Sequence, residues 1–326
     1  MKTAFITGAL GMDGANLSKY LLNLGYHVVG IARRHSSDAE SWRDLELLKD
    51  EPRFELYWGD ICDQGFMTEL ICRYFPDEFY SYAAQSHVAY SFANPLETIE
   101  VSGLAVIKIL EILRRHSCDT KFLQASTSEL YGGLNCPLEG YNENSRFHPR
   151  SPYACAKALS HYSTINYREA FGVFACASIL FNHTGTNRGL DFFERKVTKT
   201  IAEIKLGLKK EIILGNLESF RDLGASKDYI VAQHKMLQQE KPDEYVVATG
   251  QTHQVREILE TVARIADIKN IYDYVVYDKN LLRPSEVPYL LGDSSKARKE
   301  LDWKPTYTFD TLLEEMYKND YNLLKE

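Results

Sequence analysis

The chain has 326 residues, 44% hydrophobic and 25% charged, enough for one large α/β body plus a smaller lobe and too ordinary for long disorder. A formal charge of −7 excludes a general attraction to nucleic acid or anionic membrane, so an anionic ligand has to be met by local basic residues. No apolar run approaches the roughly 20 residues of a spanning helix, and the six cysteines (Cys62, Cys72, Cys118, Cys136, Cys155, Cys176) include no CxxC pair and no zinc-like Cys/His spacing, so no metal site is expected.

Lys2–Thr7 reads as a strand that runs into Gly8-Ala9-Leu10-Gly11-Met12-Asp13-Gly14 without a secretion-signal pattern. A cytoplasmic protein with reduced thiols is therefore expected. A helix is predicted from about Ala15 to Leu24, with Leu17, Tyr20, Leu21 and Leu24 on one face and Gly25 ending it. Strand, GxxGxxG and helix in this order let backbone N–H groups and a helix N-terminus hold a dinucleotide pyrophosphate. His27–Ala32 is a second strand. It ends in Arg33-Arg34-His35-Ser36-Ser37, where an NAD enzyme carries a carboxylate for the ribose 2′-hydroxyl. Two arginines there suit a 2′-phosphate, so NADP is the expected cofactor.

The alternation continues through Phe54–Gly59, ending in Asp60-Ile61 near the adenine, and Glu78–Ala83, ending in Ala84-Gln85-Ser86-His87-Val88. A long helix over roughly Glu97 to Arg115 precedes the strand Lys121–Ser126, which runs into Thr127-Ser128-Glu129. Ser151-Pro152 starts a helix carrying Tyr153 and Lys157, and Phe174–Leu180 is a sixth strand, followed by Phe181-Asn182-His183. Strands separated by helices predict a doubly wound parallel sheet over residues 1–180, with sheet contributions from about 211–250. Residues 181–326 are expected to form a smaller α/β lobe that binds substrate. There a helix near Val197–Leu206 and a strand at Glu211–Leu214 lead into a polar loop over Gly215–Asp222. A strand at Glu244–Ala248 is expected to return to the main sheet. Arg195, Lys196, Arg221 and Arg283 are candidates to line a diphosphate cleft.

The chemistry concentrates at the end of the fifth strand. A tyrosine titrates near 10, and a lysine one helical turn away lowers that value by stabilising the phenolate. Tyr153 and Lys157 can thus take a hydroxyl proton while hydride leaves the same carbon. Once a sugar C4 is a ketone its C5 proton is acidic, and Glu129 is the carboxylate placed to remove it. Thr127 and Ser128 supply hydroxyls to hold the C4 oxygen and its neighbours.

These residues resemble a family. Ala125 to Gly132, Ala84 to Val88, Arg150 to Ala154, Phe181-Asn182-His183, Gly215-Asn216-Leu217, Arg221-Asp222, Lys227-Asp228-Tyr229, Arg283 to Val287 and Trp303-Lys304-Pro305 are similar to the GDP-mannose 4,6-dehydratases, within the extended short-chain dehydrogenase/reductases. The resemblance implies a Rossmann-type fold, a C–O lyase activity on GDP-mannose, and a homodimer or homotetramer, with the Arg33–Ser37 loop meeting a neighbouring subunit's cofactor site. It implies Thr127, Ser128, Glu129, Tyr153 and Lys157 as the catalytic group. NADP contacts are implied at Gly8, Gly11, Met12, Asp13, Gly14, Arg33, Asp60, Ile61, Ala84, Gln85, Ser86, Tyr153, Lys157, His183 and Arg188. For the GDP-sugar it implies Ser86, Asn182, Lys196, Arg221, Arg283 and Glu286. Ser128 stands where dTDP-glucose dehydratases place an Asp, so Glu129 is expected to act as both base and acid. The chain departs from the family at Leu10 and Met12 (Thr and Gln), across Thr184-Gly185-Thr186-Asn187 (Glu-Ser-Pro-Arg), near Glu97 (where a cofactor tyrosine is missing) and at Leu223 (Trp). A GDP-manno-heptose dehydratase, a GDP-sugar epimerase or 4-oxidoreductase, and a non-catalytic NADP-binding scaffold stay open as alternatives.

Overall fold

The computed structural model describes residues 1–34, 39–117 and 119–325, so His35, Ser36, Ser37 and Cys118 lie outside the described residues. In chain order the first half consists of β1 (Thr3–Thr7), α1 (Met12–Asn23), β2 (His27–Ala32), α2 (Ala39–Leu48), β3 (Phe54–Trp58), α3 (Gln64–Tyr74) and β4 (Glu78–Ser81). Helices α4 (Val88–Ala93) and α5 (Pro95–Ile99) and a π-helical turn at Glu100–Leu104 lead into α6 (Ala105–His116), then β5 (Lys121–Thr127), α7 (Pro152–Phe171) and β6 (Ala175–Leu180). The second half adds β7 (Asn182–Thr184), α8 (Phe193–Lys205), β8 (Ile212–Leu214), β9 (Phe220–Ala225), α9 (Ser226–Leu237) and β10 (Glu244–Val247). It closes with β11 (Thr252–Gln254), α10 (Val255–Ile265), β12 (Val275–Tyr277), α11 (Ser295–Glu300) and α12 (Phe309–Leu323).

Seven strands form one parallel sheet in the order β10-β6-β5-β4-β1-β2-β3. The order reverses at β1, which makes the crevice beyond the carboxyl ends of β1 and β4 the place for a ligand. Alternate side chains of the strands feed two apolar layers. Ala4, Ile6 and Val28 pack with Leu17, Leu21, Ile230 and Met236 from α1 and α9. Phe5 and Val29 pack with Met67, Leu70, Ile109 and Leu113 from α3 and α6. Each of the larger fully buried side chains contributes about 1.5–3 kcal/mol, so the sheet is a firm platform for its own strand ends.

The lobe has a separate core in which Val197, Ile201, Ile258, Val262, Leu313 and Met316 join α8, α10 and α12. Of the stretch 211–250, β10 enters the main sheet, while β8 pairs with β12 and β9 pairs with β7 and β11. The expected polar loop over 215–222 therefore ends in strand: from Phe220 to Asp222 its backbone is held between β11 and the segment 288–290. The long helix expected over 97–115 contains the π-helical turn.

Between β5 and α7 the chain leaves the sheet and crosses to the lobe. Tyr141 N–H donates to the Leu291 carbonyl at 2.8 Å and its own carbonyl accepts from Asp293 N–H at 2.9 Å. Glu143 accepts from Val246 N–H at 2.7 Å, and the Arg150 guanidinium donates to the Glu286 carbonyl at 2.6 Å.

Candidate active site

At the end of β1 the backbone turns through Gly8, whose φ of +69° a side chain would strain. A Cβ on Gly14 would stand 2.2 Å from the Gly8 carbonyl oxygen, so α1 can start this close to β1 only without one. Gly11 caps α1 with no side-chain acceptor, leaving the first-turn N–H groups to face the crevice. Leu10 and Met12 are buried and line the crevice with apolar surface. Asp13 accepts from Ser226 Oγ at 2.6 Å and lies 2.8 Å from His183 Nε2. Burial pushes the Asp13 carboxyl up, but His183, Ser226 and Arg188 outweigh it and hold the group below its usual range. His183 is fixed at its other nitrogen by the Phe181 carbonyl, at 2.8 Å.

At the end of β2, Arg33 lies 3.5 Å from Asp60, which accepts the Cys62 N–H at 2.9 Å. Arg34 instead stacks over Trp58 at 4.9 Å. Past β4, Ala84 and Ser86 line the crevice. Gln85, although predicted, is not brought to its wall: its N–H donates to Ser102 Oγ at 3.1 Å and its side chain donates to the His87 carbonyl at 3.1 Å.

The reactive cluster follows from how β5 ends. Thr127 Oγ1 accepts the Glu129 N–H at 3.3 Å and starts a short 3-10 turn over Ser128–Tyr131. Tyr131 anchors that turn by stacking on Tyr141 at 4.5 Å. Across from it, Ser151 Oγ caps α7 by accepting from Ala154 N–H at 3.0 Å, with Pro152 in the first turn. This holds Tyr153 within hydrogen-bonding reach of Thr127. Lys157 lies one turn on, its Nζ donating to the Ala125 carbonyl at 2.9 Å. Thr127, Ser128, Glu129, Tyr153 and Lys157 are all buried at the crevice wall.

The expected lowering of the tyrosine is not what this geometry gives. Lys157 Nζ is 6.0 Å from the Tyr153 ring centre and directs its hydrogen bond to a carbonyl. Burial pushes the Tyr153 hydroxyl up to about 12, opposed by its Thr127 hydrogen bond and reinforced by the Glu129 charge. Burial pushes Lys157 down to about 8, against the pull of Asp13. Both groups are thus driven toward neutral forms.

At the far end of the crevice Glu286 Oε1 accepts from Arg221 at 3.2 Å and lies 3.6 Å from an Arg283 nitrogen. Burial lowers the Arg221 guanidinium, against the pull of Glu129 and Glu286, which places Arg221 within electrostatic range of both carboxylates. Lys196, Asn182 and Arg188 line the same space; Asn182 Oδ1 and Arg188 Nε are buried with no hydrogen-bond partner among the described residues. Arg195 is absent from the crevice. It is fully buried, pairs with Asp320 and donates to the Thr186 and Arg188 carbonyls, so its charge is spent inside the lobe.

The departures from the family pattern also find positions. Asn187 donates to Asp44 Oδ2 at 2.7 Å, tying its loop to α2, and Leu223 sits in the lobe core rather than at the crevice. Glu97 accepts from Tyr90 Oη at 2.8 Å outside the crevice wall. Sequence reasoning missed His87, Phe192, Asn216 and Asn280 as lining residues. His87 and Asn216 stood inside motifs already singled out, whereas Phe192 and Asn280 carry no motif.

The crevice encloses about 1010 Å3. Its glycine turn, the uncapped helix start and the Arg188 Nε that lacks a partner among the described residues fit a dinucleotide, while Asn182 Oδ1, an acceptor without a partner there, fits a ligand hydroxyl. Among the described residues no His/Cys/Asp/Glu cluster has metal-site geometry, and no helix is long and apolar enough to cross a membrane.

A family model described as GDP-mannose 4,6 dehydratase matches residues 5–316. GDP-mannose 4,6 dehydratase 1 of Arabidopsis thaliana is 41% identical over 333 residues, covering 99% of this chain and 91% of that protein. GDP-mannose 4,6-dehydratase of Yersinia enterocolitica is 40% identical over 358 residues, covering 100% and 95%. Among solved structures, dTDP-glucose 4,6-dehydratase from Bacillus anthracis in complex with NAD has a TM-score of 0.86 at 18% identity, covering 100% of this chain and 98% of that one. RMD from Pseudomonas aeruginosa complexed with NADPH has a TM-score of 0.81 at 22% identity, covering 99% and 100%. At such identities the structural likeness concerns the fold.

Proposed function

This chain belongs to the GDP-mannose 4,6-dehydratase family, and from that premise we propose how its residues convert GDP-mannose to GDP-4-keto-6-deoxymannose. The observation that carries the mechanism is a carboxylate, Glu129, held by the Thr127 turn beside Tyr153. Tyr153 and Thr127 would share the C4 hydroxyl, and Tyr153 takes its proton as the phenolate, a form that burial disfavours in the cofactor-free protein and that the positive ring of a bound oxidised nicotinamide would favour. A bound nicotinamide cofactor supplies the redox chemistry, accepting hydride from C4 and returning it to C6. With C4 a ketone, Glu129 removes the C5 proton and passes a proton to the departing C6 oxygen, which leaves as water. The proton that Tyr153 took from the C4 hydroxyl then goes to C5, so the net change is loss of one water. Ser128 and Thr127 would orient the hydroxyls, and Lys157 would help hold the nicotinamide ribose of the cofactor.

Gly8, Gly11, Met12, Asp13, Gly14, Asp60, Ile61, Ala84, Ser86, His183 and Arg188 would hold the dinucleotide, and Gln85 supports the loop from behind. NADP is the form we favour, because Arg33 stands at the end of β2 where a 2′-phosphate would lie. Arg221, Arg283 and Lys196 would meet the diphosphate, with Ser86, Asn182 and Glu286 on the sugar and ribose oxygens. In this reading residues 1–180 bind cofactor and 181–326 mainly bind the sugar nucleotide. The protein would act in the cytoplasm as a homodimer or homotetramer. The free thiols Cys62, Cys72, Cys136, Cys155 and Cys176 support the compartment.

Incubating the purified protein with GDP-mannose should give a product lighter by one water, read by mass spectrometry. An unchanged mass would assign the chain to an epimerase instead. Glu129→Gln keeps the shape and loses the base. It should bind GDP-mannose normally while product formation falls by about 10²–10⁴-fold; full turnover in that variant would remove the role given to Glu129.

A further inference from the structure

His87 lies on the crevice wall just after β4 and has no part in the reaction as described. It occupies the position before α4, and its Nδ1 accepts the Tyr90 N–H at 3.2 Å. A ring nitrogen that accepts carries no proton, so in the neutral ring the proton is on Nε2. Nε2 has no hydrogen-bond partner among the described residues, nor is it among their buried unpaired atoms. It is therefore a donor with no acceptor among the described residues, on a side chain that lines the crevice. The ring is held by edge-to-face packing on Phe192, with centres 5.8 Å apart, and the Arg188 guanidinium lies 3.5 Å from the Phe192 ring centre.

The charges that reach His87 locate it. Burial and the Arg283 charge hold the imidazole below its ordinary pKa, Asp191 pulls the other way, and Arg188 adds to the lowering. Arg188 also acts on Tyr153 at the reacting end, while Arg283 shares Glu286 with Arg221 at the diphosphate end. His87 thus lines the crevice within electrostatic reach of both ends, in the space a sugar nucleotide would cross.

We propose that His87 donates its Nε2–H to a hydroxyl of the bound hexose and so helps select the sugar. This rests on the GDP-mannose reading above. Two substitutions separate the contact from the helix cap. His87→Asn keeps an acceptor where Nδ1 is, and asparagine is a good N-cap, but it lacks the Nε2 reach. His87→Gln places an amide N–H near the Nε2 position. His87→Asn should raise KM for GDP-mannose about tenfold, as for loss of one neutral hydrogen bond. Its thermal midpoint and its Kd for GDP alone should stay as in the wild type. His87→Gln should recover most of the loss. The proposal is overturned if His87→Asn leaves KM unchanged, if GDP and GDP-mannose weaken equally, or if His87→Gln does no better than His87→Asn. Wild-type protein that neither binds nor converts GDP-mannose would overturn the functional reading itself, and that result precedes any variant.

Discussion

Lys157 is buried at the base of the crevice, and in the cofactor-free protein its one hydrogen bond to Ala125 does not offset the loss of water around an ammonium. Its value of about 8 lies below the unfolded value near 10.4, so the folded state releases the proton first. The penalty is fully present below about pH 8 and is relieved as pH rises toward about 10, because there the unfolded chain binds the extra proton. Lys157→Met should therefore stabilise the cofactor-free protein by roughly 2–3 kcal/mol near pH 7 and by much less near pH 10, while abolishing turnover. Urea unfolding at the two pH values checks this; an equal gain at both would rule out a charge-burial origin. That Tyr153, Lys157 and Glu129 would come together was legible from spacing, because one helical turn and one strand end bring them to the same crevice wall. The direction of the Tyr153 shift was not, since it depends on burial and on where Lys157 aims its protons. Arg195 misled for a similar reason: a basic residue beside Lys196 gives no sign that Asp320, at the other end of the lobe, will claim it.

At the scale of elements, the Arg195–Asp320 pair joins α8 to α12 and reaches the loop that carries Arg188 through the Thr186 and Arg188 carbonyls. Thr198 Oγ1 donates to the same carboxylate at 2.6 Å. Removing one partner of a buried pair leaves an uncompensated charge and costs about 3–5 kcal/mol. Asp320→Ala should thus lower Tm by roughly 5–10 °C, measured by calorimetry; a shift below about 2 °C would mean that solvent or another group takes over the Arg195 charge. The strands of the main sheet were readable because their apolar runs are bounded by turns, and β2 appears at its expected limits, His27–Ala32. Strands β7, β9 and β11 were not. They are short and carry polar residues such as Asn182, Asp222 and Thr252, and they exist because each has a neighbour to pair with, a relation no local pattern records.

For the molecule as a whole, Leu96, Leu104, Leu159 and Tyr162 remain exposed on α5, the π-helical turn and α7, which pack against one another. In the proposed homo-oligomer these side chains would be covered, and light scattering at micromolar concentration should give a mass of two or four chains; a monomer would refute that assembly. The excursion between β5 and α7 has a further consequence. It begins at Glu129, grips the backbone of 286–293 and ends at Tyr153, so the base and the arginines around Glu286 are braced to one another and not merely to their own lobes. The crevice then behaves as a calliper with a fixed jaw setting. In the proposed reading, a GDP-sugar anchored by its diphosphate would present one particular carbon to Glu129, so that the substrate would be measured by length as well as by the hydroxyls it carries.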